Sequence, residues 1–438
     1  VRSPVFLKNK LYFLVMVAVL CTTVTGWFNP NSWCIIALLA CRLFSGNPLD
    51  NIKTAFANRL FVAYFLFTVM GVMGYLYTHN LRTEGLIVSK EATLVAVSFV
   101  ICAGPFADRQ TYRQLITAYS LLLLATSLYC LGRAVYHYIT SGDTSFFFYH
   151  PLTEPLSQNA VFYSVYVLLG IVFLLSPGGE PAIDAWPPRV RRSLRIVLIL
   201  FFIGMMILLS SRLMLVITAV ILINIFFRRY SYRQNKRLLI AAIAILVFAV
   251  SLLSLVDNPI RDRFRETTDG SLTLVRQDTF VSYKHFSSTE IRMLQWRFGF
   301  EILNARHAWL FGVSPGDSQD LLDEKYTAAN MYIGNPAEGP NRHFRGFLGF
   351  NFHDQYLETL VRSGLLGLAL LLTIFILLFS RARSTGIKEA WFITVTLAVF
   401  FIPEAPLTMQ HGIFLFCFFP LFALTSPTLT HPTLNRPT

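Results

Sequence analysis

The chain predicts an all-helical, polytopic membrane protein of about twelve transmembrane helices with one large, partly helical loop. Three observations predict it. Over half of the 438 residues are apolar and only 14% are charged, with a mean hydropathy of +0.54. Roughly a dozen segments each come near the ~20 apolar residues that cross hydrocarbon. Lys and Arg gather in alternate connections between those segments, the pattern of a chain threaded back and forth with its positive loops on the inner side.

The expected spans are 11–27, 32–45, 60–78, 86–104, 114–138, 158–176, 194–210, 211–228, 237–256, 355–379, 389–404 and 410–426. Span 32–45 is short and span 389–404 is marginal. The first span lacks a small-residue cleavage site and reads as an anchor, not a signal peptide. Basic residues recur at Lys53 and Arg59, Arg109 and Arg113, Arg189 to Arg195, Arg228 to Arg237, and Arg381 to Lys388. The connections between them are nearly free of such residues, apart from Arg82 and Arg212. This alternation puts both termini in the cytoplasm and segment 257–352 on the outer face. The expected organisation is nine spans in 1–256, an outer loop at 257–352, three spans in 353–426, and a disordered Pro/Thr-rich cytoplasmic tail at 427–438.

The net charge of +13 therefore reports topology and gives no reason to expect a nucleic-acid partner. All six cysteines lie in apolar spans, and CxxC, HExxH and EF-hand spacings are absent from the sequence. Neither a disulfide framework nor a metal or other cofactor is expected.

Two segments depart from plain helix–loop repetition. At 207–213 polar residues interrupt an apolar run, leaving Arg212 at the outer boundary of the membrane. A charge there is costly and often functional, or else its stem snorkels to the headgroups. In the long loop, residues 290–306 carry Arg292, Gln295, Trp296, Gly299, Phe300 and Leu303 at helical spacing. Gly312, Pro315 and Gly316 then break the chain, and a Gly/Asn/Pro-rich stretch runs from Gly334 to Gly349. The loop reads as a partly helical cap.

Just beyond it, His353 and Asp354 stand at the mouth of an apolar helix that carries Gly364 and Gly367. An imidazole titrates near neutrality and can exchange protons. Two guanidiniums suit an anionic, oxygen-rich group such as a diphosphate. On that reading His353 takes a proton from an attacking hydroxyl while Arg212 and Arg292 stabilise a departing diphosphate. Taken singly, Arg292 also reads as an exposed helix arginine and His353 as an interfacial helix cap.

The segment from His353 to Gly367 resembles the signature of the bacterial O-antigen ligase and polymerase family. That signature is a His, then Asn, Ser or Gln, nine residues, a Gly, two residues, and a Gly or similar residue. Gly364 and Gly367 fall in register, while Asp354 departs at the second position. Ser211-Arg212 is similar to the family's Ser-Arg step. Arg292 with Trp296, followed by Gly312 to Asp317, resembles its Arg…Trp…Gly-x-Gly run.

The resemblance implies a metal-independent, inverting glycosyltransferase of the bacterial inner membrane, with its active site on the periplasmic face. The implied donor is a glycan on undecaprenyl diphosphate, and the acceptor is a sugar hydroxyl on lipid A–core or on another glycan. It implies His353 as the catalytic base and Arg212 and Arg292 as diphosphate ligands. Membrane lipids are the remaining expected partners. Ligation of O-antigen is the first expectation. A polysaccharide polymerase of the same family is the alternative, and a lipid-linked sugar transporter or flippase is the rival from another class.

Asp354, Trp296, Arg345 and His343 are further candidate substrate contacts, and Trp309 and Tyr332 could stack on sugar rings. Gly364 and Gly367 most simply allow close helix packing. Lys90 and Glu91, inside span 86–104, serve a lipid path or pair with Arg133.

Overall fold

The structure, a computed structural model, describes residues 10–176, 178–229, 274–282, 284, 286–334 and 346–426. The expected span 237–256, the start of the loop, the candidates His343 and Arg345, and the tail lie outside these residues. In chain order the helices are α1 (Lys10–Val24), α2 (Phe28–Leu43), α3 (Pro48–Phe56), α4 (Arg59–Met73), α5 (Leu81–Cys102), α6 (Arg109–Ser141), α7 (Tyr149–Thr153), α8 (Ala160–Leu175), α9 (Pro188–Leu209) and α10 (Arg212–Arg229). They resume as α11 (Ser288–Ala305), α12 (Pro315–Ala328), α13 (Gln355–Thr385), α14 (Lys388–Phe400) and α15 (Gln410–Leu424). No strand occurs among the described residues.

Five helices are long and apolar enough to cross a membrane: α4 with its extension to Leu76, α5, α6, α9 and α13. Two bent pairs raise the number to seven, α2 with α3 at 106° and the Tyr149–Leu156 segment with α8 at 81°. The helices α1 and α15 and the Arg212–Asn224 part of α10 are apolar but shorter. Every expected span but 237–256 coincides with a helix, but several of these helices, α1, α14 and α15 among them, are only 13–15 residues long and fall short of a full crossing. Between α2 and α3 the turn is made by Asn47, whose side chain accepts from Leu49 N at 3.1 Å, with Pro48 opening the next helix.

The centre of the bundle is α15, apolar on every side and buried along nearly its whole length against α5, α13 and α14. Pro420 within it cannot donate to the Phe416 carbonyl. The Tyr64 hydroxyl of α4 donates to that oxygen instead, at 3.2 Å, so the proline leaves no orphaned acceptor.

The cap has its own apolar core. Leu294, Phe298, Ile302 and Leu303 of α11 pack with Leu322 and Tyr326 of α12 and with Leu357, Leu360 and Val361 of α13. A capping box of Ser287 and Glu290 starts α11 close to the position its spacing predicts. Trp296 and Phe300 are exposed, and the aliphatic residues turn inward.

Two joints fix the cap to the bundle. At the first, α13 is broken at Gly364 (φ 64°, ψ −166°). The freed groups pair with the loop 309–314: Val313 N and Ser314 N donate to the Val361 and Arg362 carbonyls at 2.8 and 3.1 Å, and Leu365 N donates to Trp309 O at 2.8 Å. At the second, Asp317 accepts from Thr78 Oγ1, His79 N and Asn80 N at 2.9–3.0 Å, and Glu84 accepts from Gly316 N at 2.6 Å. Burial pushes the Asp317 carboxyl up, but the hydrogen bonds from His79, Thr78 and Asn80 outweigh it and leave it below the usual range. Its contribution to stability is therefore present above the ordinary Asp value and lost as pH falls through the lowered one.

Candidate active site

His353 lies where the cap meets the bundle, and its backbone is forced there. Its φ is +46°, a conformation costly for any residue but glycine. The surroundings hold it in place. Its N–H donates to Asn351 Oδ1 at 3.0 Å, and Gln355 N, two residues on, donates to the Phe401 and Glu404 carbonyls at 2.8 and 3.1 Å. The Gln355 side chain accepts from Leu407 N at 2.7 Å, so the start of α13 and the turn after α14 form one unit. Tyr356 OH adds a bond to Ala398 O at 2.8 Å.

This unit brings Glu404 against His353. Glu404 Oε2 lies 3.8 Å from His353 Nδ1, and Oε1 lies 3.6 Å from Arg292 Nη2 of α11. One carboxylate thus stands between the imidazole and the guanidinium, all three mostly withdrawn from solvent (28%, 31% and 10% exposed for His353, Arg292 and Glu404). His353 Nδ1 is buried and makes no hydrogen bond among the described residues. The distance to Glu404 is too long for one. The Phe350 ring stands edge-on to the imidazole at 5.8 Å.

Arg212 opens α10, separated by Ser211 from Ser210, whose φ of 52° ends α9. Helix α9 runs back along α8, since Arg195 near its start reaches Ser176 at the end of α8 (3.0 Å). Arg212 therefore sits near the start of α8, where Phe162 meets Phe400 and His411 with centroids 5.1 and 4.7 Å apart. It shares its end of the bundle with the Glu404 turn.

The remaining candidates fall elsewhere. Asp354 is a helix cap. Its Oδ1 accepts from Tyr356 N and Leu357 N at 2.8 and 3.0 Å, and burial raises its carboxyl above the usual range. Asp354→Ala is expected to cost about 0.5–2 kcal/mol of stability and to leave the chemistry of the bound substrate unchanged. Asp354→Asn, which keeps the cap, should restore the melting temperature measured in detergent; a loss of turnover in a fully folded Asn variant would count against the capping role.

Trp296 is exposed one helical turn from Arg292. Trp309 donates to Asn304 Oδ1 at 2.9 Å and stacks on Phe300. Gly364 does not pack helix on helix; it breaks α13 and admits the backbone of Leu310. At Gly367 the nearest atoms belong to Ser363, on the other side of the break. Arg133 lies over Tyr136 at 5.6 Å, while Lys90 reaches the Thr408 carbonyl at 3.4 Å and Glu91 is buried against Gly71.

Glu404 escaped the sequence reading because it ends a span. Its signal was an acid between Pro403 and Pro406 at the edge of an apolar segment, where an unpaired carboxylate is costly.

Residues 196–372 match the family model described as O-antigen ligase. The matched stretch contains Arg212, Arg292, His353 and both motif glycines, and stops before Glu404. It supports membership of that family. No curated protein matches the chain.

Proposed function

We propose, on the premise that this chain belongs to the O-antigen ligase family, that it transfers a glycan from undecaprenyl diphosphate to a sugar hydroxyl of lipid A–core. The observation that carries this reading is the Arg292–Glu404–His353 cluster at the joint of cap and bundle. With Nδ1–H turned to Glu404, His353 Nε2 is the free base. It takes the proton of the acceptor hydroxyl as the hydroxyl oxygen bonds to the anomeric carbon. The bond from that carbon to the diphosphate oxygen breaks, and undecaprenyl diphosphate leaves with the electron pair. One displacement inverts the anomeric centre.

Arg292 and Arg212 neutralise the leaving group without a metal ion. Glu404 is a positioning residue: it holds Arg292 near His353 and stabilises the imidazolium by its charge. On this reading 257–352 forms the periplasmic cap, and the protein sits in the inner membrane with its catalytic joint at the outer lipid boundary.

Glu404→Gln tests the positioning role. Loss of the charge should lower kcat by less than the ~10²–10⁴-fold expected for loss of the base itself. Glu404→Asp should recover part of it; a Gln variant with native kcat would remove Glu404 from the mechanism. Arg292→Lys and Arg212→Lys should each cripple transfer, since an ammonium cannot replace the planar fork on a diphosphate. Mild effects in both would sink the diphosphate assignment.

The same geometry serves a polymerase, and gene deletion followed by gel analysis of lipopolysaccharide separates the two. Loss of all long-chain material supports the ligase, whereas a single repeat left on the core supports the polymerase.

A further inference from the structure

Away from His353, a cavity of about 790 Å³ opens between α12, the Tyr77–Arg82 turn and the loop after α11. Its size falls within the range of pockets that take small organic ligands. It lies on the other side of α12 from the His353 segment. Gln319 and Tyr326 on α12 bond the Phe350 carbonyl at 3.1 and 3.2 Å, whereas Asp317, Asp320 and Glu324, about a turn apart on another face, line the cavity. The cluster around Glu404 does not reach it.

The walls are fixed in advance. Asp317 holds the 78–80 turn, Tyr77 OH donates to Phe311 O at 2.8 Å, and Gly312 and Val313 are pinned against the break in α13. A ligand therefore meets a rigid site and loses little in ordering it.

The lining is of mixed sign: Arg82 and Arg306 face the same space as Asp320 and Glu324. Neither arginine nor Glu324 makes an ion pair among the described residues, although all are exposed at the cavity. A phosphate would meet three carboxylates, and a cation would meet two guanidiniums. A chain of sugar hydroxyls suits both signs, because each hydroxyl donates to a carboxylate and accepts from a guanidinium. The ring of Tyr77, held by its own hydroxyl, offers an apolar plane for a sugar face. Leu81, Leu310 and Phe311 are exposed nearby and add apolar surface beside the polar groups, as a sugar face requires.

We propose that this cavity is a glycan subsite that holds an uncharged stretch of a substrate saccharide away from the reacting sugar. The inference rests on the glycosyltransferase reading above. It is tested by saturation-transfer NMR on the purified full-length protein in detergent, using lipid-free core oligosaccharide and lipid-free O-antigen repeats as separate probes. At least one probe should bind. Its signal should fall five-fold or more in the combined Arg82→Ala, Glu324→Gln variant and in Ala308→Trp, which fills the cavity, while His353→Asn keeps it.

The proposal is overturned if neither glycan binds, if binding survives in the Arg82/Glu324 variant, or if only His353→Asn abolishes it. Displacement of the bound glycan by millimolar inorganic phosphate would also overturn it. Melting in detergent confirms that each variant is folded; if Ala308→Trp is not, the variant at the two exposed side chains decides. Transfer assays read the catalytic assignment separately, so glycan bound at this cavity by a chain without transferase activity would sink the proposed function and spare the binding site.

Discussion

Replacing His353 by Asn is expected to lower glycan transfer by about 10²–10⁴-fold, the usual contribution of a positioned general base. Asn is a cleaner test than Ala because His353 has a φ of +46°, and Asn tolerates that left-handed backbone better than most residues. The variant keeps the turn that presents residue 353 and removes only the basic nitrogen. Donor binding, which the proposal gives to the arginines, should persist, so the loss should appear in kcat and not in KM. Purified protein with lipid-linked donor and acceptor provides the assay. Transfer at the native rate by either the Asn or the Ala variant would show that the proton goes elsewhere.

The pairing behind this expectation was only partly legible in the sequence. Arg292 and His353 were recognisable through the order of motifs, and the structure joins them through Glu404. No local signal ties Glu404 to His353, because the link is made by the backbone of Gln355 bonding to the turn after α14. The departure at Asp354 has a simple physical reason. Asn, Ser and Asp are the strong helix N-caps, and Asp354 performs that task for α13. Asp in place of the Asn, Ser or Gln of the signature keeps a side-chain oxygen that accepts from the orphaned amides.

Helix α11 was legible because its residues fall at helical spacing, although that spacing did not tell that Trp296 and Phe300 are exposed. The lengths of the spans were not, since α1, α14 and α15 are helices of only 13–15 residues. The break in α13 was hidden because hydropathy does not distinguish a glycine that packs from one that breaks.

That break makes the second large prediction. Gly364→Ala is expected to destabilise the protein by about 3 kcal/mol or more. At φ 64°, ψ −166° an alanine sits in a backbone region that only glycine visits readily, at a cost of ~1–3 kcal/mol. Its Cβ would also collide with the Leu310 carbonyl and Phe311 N, which are backbone atoms that cannot swing aside. Relief requires the 309–314 loop to withdraw, giving up the bonds from Val313, Ser314 and Leu365, each worth ~0.5–1.5 kcal/mol net in water and hard to replace in apolar surroundings. Because the same loop carries the cap that presents Arg292, transfer should fall together with stability.

Gly349→Ala is the control. Its φ is +79°, yet nothing lies within 4 Å of the added Cβ, so it carries the strain without the collision. Gly312→Ala, which meets the Arg362 carbonyl across the same joint, should be nearly as damaging as Gly364→Ala, and the two together should cost less than their sum. Thermal melting of the detergent-purified variants measures all four. Equal melting of the Gly364 and Gly349 variants would mean that the loop is not locked into the break. An additive Gly312/Gly364 pair would mean that the two glycines serve separate contacts, and the cap would then need another anchor to hold Arg292 against Glu404.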